Sequence, residues 1–290
     1  MTGFAIIGYG EVGGIFAHDL AATGAPVAAF DTLPAAQARA AAAGHAAASA
    51  HAAIAMSDVV FVCVTAGSAP DAMRSLVGGL SHAPFVVDVN SIAPQTKQHD
   101  AAIIEAAGGR YVEAAVMASV PPKRLKTPML LGGPHADAFI ARMAPLAMDL
   151  TAYSPEIGRA SSVKMCRSVM IKGIEALTIE CMLAARHYGV EQDVLRTLGE
   201  TLPHPDWPAL ARYVVSRALI HGKRRAEEME EVVKTVQDAG VEPMASRAIV
   251  QRQDWAWRQG AAMGEDRNLA AIGPLMDALT AAMHLPKAAE

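Results

Sequence analysis

Two groups of residues in this chain have types and spacing suited to chemistry. The first is Gly8-Tyr9-Gly10-Glu11-Val12-Gly13, which follows the apolar run Phe4-Ala5-Ile6-Ile7 and precedes a helical pattern of Ile15, Phe16 and Leu20. Strand, Gly-x-Gly-x-x-Gly turn and helix, in that order, form the context in which a dinucleotide pyrophosphate is held. Gly8 permits the tight turn, Gly10 lets the backbone approach the pyrophosphate, and Gly13 lets the helix pack close to the strand. The free N–H groups at the helix start then face the phosphates. A second apolar run, Pro26-Val27-Ala28-Ala29-Phe30, ends at Asp31. An acid about 20 residues past the turn is placed to hold a ribose 2′-hydroxyl. Asp31 repels a 2′-phosphate, so NAD is expected in preference to NADP; Arg39, further along, softens that preference. The plainer reading is a glycine-rich turn with a surface Asp after it. Position, glycine order and the acid together favour the binding turn.

The second group centres on Lys164, at the start of a long helical pattern. Gly158 precedes it, and Ser161 or Ser162 is placed to cap the helix. A lysine there opposes the helix dipole at a cost of a few tenths to ~1 kcal/mol. Partial burial lowers a lysine's pKa and makes it a competent acid/base. Ser168 lies one turn on, and Glu175 shares the stripe. The alternative is a surface lysine snorkelling off a buried helix.

The elements that must position these residues follow from periodicity. Helical patterns cover Pro34–Ala43, a short segment capped by Ser49, Pro70–Val77, Pro94–Ala107 and Pro134–Met148. Between them, Val59 to Val64, Pro84 to Asn90, Tyr111 to Val116 and Met129 to Leu131 read as strands, with a basic proline loop, Pro121 to Lys126, in the midst. Continuous apolar β-branched runs indicate strands buried on both faces. The alternation predicts a doubly wound, Rossmann-type α/β domain over residues 1–155. Val64 and Thr65, and Asn90 and Ser91, then fall at the carboxyl ends of strands, where open parallel sheets bind ligands. Past Pro155 the strands stop, and residues 156–290 read as an all-α domain for substrate binding and dimerisation. Ala160–Tyr188 is its leading helix, followed by helices at 192–198, 206–220, 223–238, 244–258 and 268–284, the last interrupted at Gly273-Pro274. The leading helix is apolar round much of its circumference, so it must be buried; a second subunit is the expected cover, giving a homodimer.

Composition bounds the rest. The chain has 290 residues and 52% hydrophobic content, enough for two cores. A net charge of −4 gives no electrostatic case for nucleic acid or an anionic membrane. Cys63, Cys166 and Cys181 sit in apolar runs without metal or redox spacing, which suits free thiols in a reducing compartment. The first strand pattern begins almost at once, so no signal peptide is expected, and no apolar stretch is long enough to span a bilayer. A cytoplasmic protein is expected. The histidines show no metal spacing, so metal-independent chemistry is expected.

The fingerprint, the strand exit Asp88-Val89-Asn90-Ser91-Ile92-Ala93-Pro94 and the Gly158…Lys164…Ser168 helix resemble the β-hydroxyacid dehydrogenases related to 6-phosphogluconate dehydrogenase. The resemblance spans the whole domain order and implies an oxidoreductase that moves hydride between NAD(P) and a small 3-hydroxy acid or its oxo acid. It places Lys164 on the family's catalytic lysine, Asn90 or Ser91 on substrate or nicotinamide, and Ser168 as a hydrogen-bonding assistant. Three departures leave the substrate open. Asn90 stands for the family's substrate-contacting Ser and Ser91 for its Thr. Ser168 stands for Asn, and Met117-Ala118-Ser119 replaces the Ser-Gly-Gly backbone pocket. Several runs, among them His221-Gly222-Lys223-Arg224-Arg225-Ala226, resemble a bacterial branch with a C-terminal α domain of unknown function. Gly222 is expected to end one helix, leaving Lys223, Arg224 and Arg225 in the first turn of the next. His221, Arg224 and Arg225 then read either as a clamp for a substrate carboxylate or as a salt-bridged surface. Two further functions stay open: an imine reductase of the same architecture, and a sensor or scaffold that binds NAD without turnover.

Overall fold

The computed structural model describes residues 2–165, 167, 188–190, 193, 197, 212–213, 215–223, 226 and 240–283. The chain divides into two compact units, Met1–Val169 and Met170–Glu290. The helix that opens at 159 therefore begins with the first unit.

The first unit is organised on one seven-stranded sheet, in the order β2-β1-β3-β4-β5-β6-β7. Its strands are β1 (Phe4–Ile7), β2 (Val27–Phe30), β3 (Val59–Val62), β4 (Phe85–Asp88), β5 (Arg110–Val116), β6 (Met129–Gly132) and β7 (Leu150–Ser154). Only the β5–β6 pair is antiparallel. Every residue of β1, β3 and β4 is buried, because helices cover both faces. Alternate residues serve the two layers. Ile6, Phe61 and Val87 meet α1 (Glu11–Ala22) and α7 (Ala136–Met143) through Phe16, Leu20 and Phe139. Ile7, Val62 and Val86 meet α3 (Ala50–Ile54), α4 (Ala69–Arg74) and α5 (Pro94–Ala106) through Ile54, Met73 and Ile104. The remaining helices are α2 (Pro34–Ala42) and the short α6 (Val120–Lys123).

Two expectations need correction in this unit, and one strand was not foreseen. The basic proline loop is helical: Pro121 and Pro122 occupy the first turn of α6, where a missing N–H costs nothing, and a 3-10 turn follows. The helix expected to reach Met148 stops at Met143, and the chain reverses through Ala147 in a left-handed conformation. β7 gave no sequence signal because it is an edge strand with Thr151, Ala152 and Tyr153 exposed, so no apolar run marks it.

In the second unit, a helical segment at 215–223 packs on the helix Met244–Met263, and Leu275 and Leu279 of Ile272–Met283 join the same core. Gly222 lies inside its helix and does not end it. A Cβ there would stand 2.3 Å from the Gln253 carbonyl, so the glycine serves close helix packing. Lys223 follows it in the same helical segment, beside the Trp257 ring. The Gly273-Pro274 pair is the first turn of the last helix and does not interrupt it. The expected helix over 160–188 beyond its first turns, most of those at 192–198, 206–220 and 223–238, and Cys166, Cys181 and Glu175 lie outside the described residues. Among the described residues no helix is long and apolar enough to cross a membrane.

One feature of α5 runs against ordinary amphipathic design. Its inner face carries Lys97 and Asp100 beside Ala101 and Ile104, all buried. Lys97 Nζ is held by the Asp88 carbonyl at 2.7 Å and by Asp88 Oδ1 at 3.0 Å. Neither oxygen of Asp100 meets a donor among the described protein groups. Burial, and next the charge of Asp88, push the Asp100 carboxyl from 3.8 up to about 6; His99, Lys97 and Arg74 oppose that shift. The native state thus holds a proton between those values that the unfolded chain releases, so stability falls as pH rises across the window. Asp100→Asn is expected to raise unfolding free energy by about 1–2 kcal/mol at pH 8 and to change it little near pH 4. Urea unfolding at both pH values checks this; equal effects at the two would remove Asp100 as the cause.

Candidate functional site

The strand order reverses around β1, whose neighbours are β2 and β3. A crevice at such a switch point, outside the carboxyl ends of the strands, is where open α/β sheets take ligands. Gly8 stands there with φ +95°, and a Cβ on it would lie 2.5 Å from the Cys63 carbonyl after β3. A Cβ on Gly13 would fall 1.9 Å from the Gly8 carbonyl, so α1 can only approach the turn with glycine at that place. Around Gly10 there is open space, and no side chain caps the start of α1. Glu11 is exposed there and Val12 half-buried.

Asp31 closes the turn from the β2 side. Its Oδ2 accepts the Tyr9 N–H at 2.6 Å and its Oδ1 the Leu33 N–H at 2.8 Å. Arg39 returns to the same turn, donating to the Tyr9 carbonyl at 3.1 Å. Beside it lies a pocket of about 270 Å³ lined by Gly8, Asp31, Thr32, Val64, Ser68 and Asp71 among others. The residues fit a dinucleotide: a turn that admits no Cβ at Gly8 or Gly13, an uncapped helix start, and an adjoining pocket with an acid at its rim.

The next strand ends complete the edge. Asn90 Oδ1 accepts the Val64 N–H at 2.8 Å, joining the exits of β3 and β4, and its buried Nδ2 meets no partner among the described residues. Thr65 Oγ1 bonds to Ser68 Oγ. Asp88, fully buried at the end of β4, sets this exit: its Oδ1 accepts the Asn90 N–H, and its Oδ2 accepts the Tyr111 hydroxyl at 2.7 Å. Burial, then Asp88's charge, hold the Tyr111 phenol well above its usual range. The Cys63 thiol is pushed up by burial and secondly by Asp88, so it is not a ready nucleophile.

Lys164 arrives from the helix that opens at 159. Its Nζ donates to Ser91 Oγ at 2.6 Å. What aims this helix is Glu113 in β5, fully buried. Glu113 Oε2 accepts the Gly158 N–H at 2.7 Å and Oε1 the Ser161 N–H at 2.6 Å. The carboxylate thus meets the helix start, where N–H groups lack partners and the dipole is positive. Ser161 and Ser162 do not cap the helix start; their hydroxyls bond the Gly158 carbonyl. Gly132 makes room, since a Cβ on it would lie 2.3 Å from Glu113 Oε2.

The structure therefore brings Gly8, Tyr9, Gly10, Asp31, Val64, Asn90, Ser91 and Lys164 to one edge of the sheet. Met117, after β5, has its N–H committed to the Pro128 carbonyl, while Ala118 and Ser119 are exposed beyond it. His221 is exposed in the second unit. Ser168, Arg224 and Arg225 lie outside the described residues. The basic segment after β5 does not stand free: Arg124 forks onto Asp19 of α1 at 2.9 and 3.0 Å. Sequence reasoning missed Lys97 and Tyr111 as the holders of Asp88, and missed the capping role of Glu113. A signal existed for the first: Lys97 and Asp100 interrupt an apolar stripe at i, i+3, i+4, i+7, and a charge on such a stripe needs a partner. Among the described residues, no three His, Cys, Asp or Glu side chains converge as metal ligands.

Residues 3–153 match the NAD binding domain of 6-phosphogluconate dehydrogenase. The chain belongs to this family. Its NAD-binding domain is followed by a match to a domain of unknown function, DUF1932, at residues 185–256. A conserved hypothetical protein from Sinorhizobium meliloti 1021 is 36% identical, with 97% of each chain covered and a TM-score of 0.59. A conserved protein of unknown function, described as structurally similar to 3-hydroxyacid dehydrogenases, is 30% identical over 89% of this chain and 98% of its own, with a TM-score of 0.57. A reductive aminase from Aspergillus terreus, solved with NADPH, shares the fold at a TM-score of 0.69 and 21% identity, over 90% of this chain and 95% of its own. The chain is thus a member of an NAD(P)-binding dehydrogenase and reductase family.

Glu113→Ala is expected to cost about 3 kcal/mol of stability, because it leaves the Gly158 and Ser161 N–H groups buried and unpaired. Glu113→Gln keeps one acceptor oxygen and is expected to cost about half as much. Urea unfolding measures both, and a loss below about 1 kcal/mol for the alanine variant would mean that other groups satisfy the helix start.

Proposed function

We propose that this chain is an oxidoreductase that moves hydride between a nicotinamide cofactor, NAD in preference to NADP, and the hydroxyl-bearing carbon of a small 3-hydroxy acid. The observation that carries the reading is the Lys164 Nζ to Ser91 Oγ contact at 2.6 Å, beside the exits of β3 and β4 that Asn90 joins. The amine of the half-buried Lys164 at that edge is placed to take the hydroxyl proton of an alcohol and to return it to a carbonyl oxygen. Nicotinamide, when bound, takes up the hydride from the same carbon, or gives it back in reduction.

Each residue has a separate task. Lys164 carries the proton. Ser91 fixes the direction of the Lys164 amine. Asn90 offers a buried Nδ2, unpartnered among the described residues, as a donor for a polar group brought to the β3–β4 crevice. Glu113 holds the helix that delivers the lysine. Asp31 keeps oxygen lone pairs beyond its two N–H bonds, and these suit ribose hydroxyls. The shared fold with a reductive aminase supports imine reduction as a second reading. A lysine paired with a serine hydroxyl suits oxygen chemistry better, since it both accepts and donates the proton of a C–OH group.

A turnover screen tests the reading. Purified protein meets 3-hydroxy acids, oxo acids and imines with each cofactor, followed by nicotinamide absorbance. Lys164→Ala is expected to lower kcat by about 10²–10⁴ while NADH affinity stays within a few fold. A variant that turns over normally would take Lys164 out of the mechanism. Tight cofactor binding without turnover on any substrate would favour the sensor reading.

Cofactor choice is tested at the acid. Asp31→Ala is expected to narrow the NAD-over-NADP affinity ratio by about tenfold or more, because it removes the charge that repels a 2′-phosphate and leaves Arg39 beside it. Loosening of the turn weakens both cofactors alike, so the ratio isolates the charge. An unchanged ratio would assign the preference elsewhere.

A further inference from the structure

Arg167 lies three residues beyond Lys164 on the same helix, so the two side chains leave from one face. They reach the ends of two adjacent parallel strands. Lys164 bonds to Ser91 after β4, and Arg167 Nη1 donates to the Met117 carbonyl, directly after β5, at 2.8 Å. That carbonyl is the only partner of the exposed Arg167 side chain among the described residues. A guanidinium has five N–H donors, so most of its fork faces outward from the bond that anchors it.

Four other arginines of this unit pair with acids, while Arg39 and Arg110, like Arg167, bond to backbone carbonyls. Arg74 pairs with Asp71, Arg124 with Asp19, Arg142 with Asp58 and Arg159 with Glu156. Arg167 holds a carbonyl, which fixes its position and leaves its charge. A guanidinium anchored at the carboxyl edge of a sheet, paired with no acid among the described residues and one helical turn from a lysine, is built to receive a planar anion.

We propose that Arg167 binds the carboxylate of the substrate and sets the preference for short acids. The proposal rests on the reading of Lys164 as proton carrier, since that residue fixes which end of the substrate lies where. A 3-hydroxy acid bears its oxygen and its carboxylate on carbons separated by one further carbon. With the oxygen at Lys164, the acid group falls towards the next turn of the helix, whose Cβ atoms lie about 5–6 Å away. Neutral analogues of the same length gain nothing from the guanidinium and leave its fork unfilled.

The test separates binding from turnover. Malonate is titrated calorimetrically into the protein–NADH complex, with malonamide as the neutral comparison. Arg167→Met is expected to weaken malonate by about 10- to 100-fold and malonamide hardly at all, with NADH affinity unchanged. Arg167→Lys is expected to fall between, because an ammonium keeps the charge and loses the fork. Lys164→Ala is expected to keep an Arg167-dependent preference for malonate over malonamide. In turnover, Arg167→Met is expected to raise KM for the acid more than it lowers kcat. Equal malonate affinity in wild type and Arg167→Met, or no malonate binding to the wild-type complex, overturns the proposal. Arg167-dependent malonate binding without turnover of any 3-hydroxy acid upholds it and overturns the dehydrogenase reading. Turnover of 3-hydroxy acids with a KM indifferent to Arg167 does the reverse.

Discussion

Two carboxylates stand side by side inside this sheet, and the geometry of the candidate site hangs from how each is neutralised. Asp88 and Glu113 are register partners on β4 and β5, and both are fully buried. A lone buried carboxylate is prohibitive, and two adjacent ones repel as well. Asp88 is met by the Lys97 ammonium and the Tyr111 hydroxyl. Glu113 is met by the start of a helix, through the Gly158 and Ser161 N–H groups. The two solutions fix two things. The first locks the β4 exit, and with it Asn90 and Ser91. The second locks the helix that carries Lys164 and Arg167. Since the acids are neighbours in register, the two locked elements meet: Lys164 finds Ser91 because Glu113 lies beside Asp88.

The cofactor side obeys a different constraint, that of close backbone approach. Gly8 and Gly13 are required by contacts with the backbone around them, and the side chain of Asp31 spans from the β1–α1 turn to the β2–α2 turn. Asp31 is thus structural before it is functional. Its two N–H bonds hold the turn in shape, and the oxygen capacity left over faces the pocket. The same economy appears at Asn90, whose Oδ1 joins two strand exits while its buried Nδ2 meets no partner among the described residues.

What was legible in the sequence were features with a period or a fixed local spacing. The buried strands announced themselves as apolar runs, and the fingerprint glycines and Asp31 came from local spacing that a fold can satisfy in few ways. β7 was invisible because an exposed edge strand has no apolar period. The helical turn at Pro121-Pro122 was hidden because proline reads as a breaker unless the helix start is known. Gly222 was misread for the complementary reason: a glycine that serves a helix crossing and one that ends a helix look alike until the opposing Gln253 backbone is located. Glu113 escaped sequence reasoning because its partners lie 45 and 48 positions away in sequence. No local pattern encodes such a contact. Only the polar interruptions at Lys97 and Asp100 on an apolar stripe pointed to a buried network.

The departures from the family's motifs fall unevenly. By the resemblance drawn from the sequence, the fingerprint glycines and Lys164 keep the types that the family uses, whereas Asn90, Ser91, Ser168 and Met117-Ala118-Ser119 differ. On the reading proposed above, the first set handles the cofactor and the proton, and the second faces the substrate. Such a division is what the physics allows. The cofactor turn cannot accept a Cβ at Gly8 or Gly13 without displacing backbone. The residues after β5 are exposed at Ala118 and Ser119 and hold no packed core in place. Substitution there costs little stability, so substrate contacts can be rebuilt while the cofactor side stays fixed. A backbone pocket of small residues and a guanidinium anchored at Met117 are two ways of meeting the same anion. The second needs no glycines in the loop, only an arginine one turn past the lysine, on a helix whose start Glu113 already fixes.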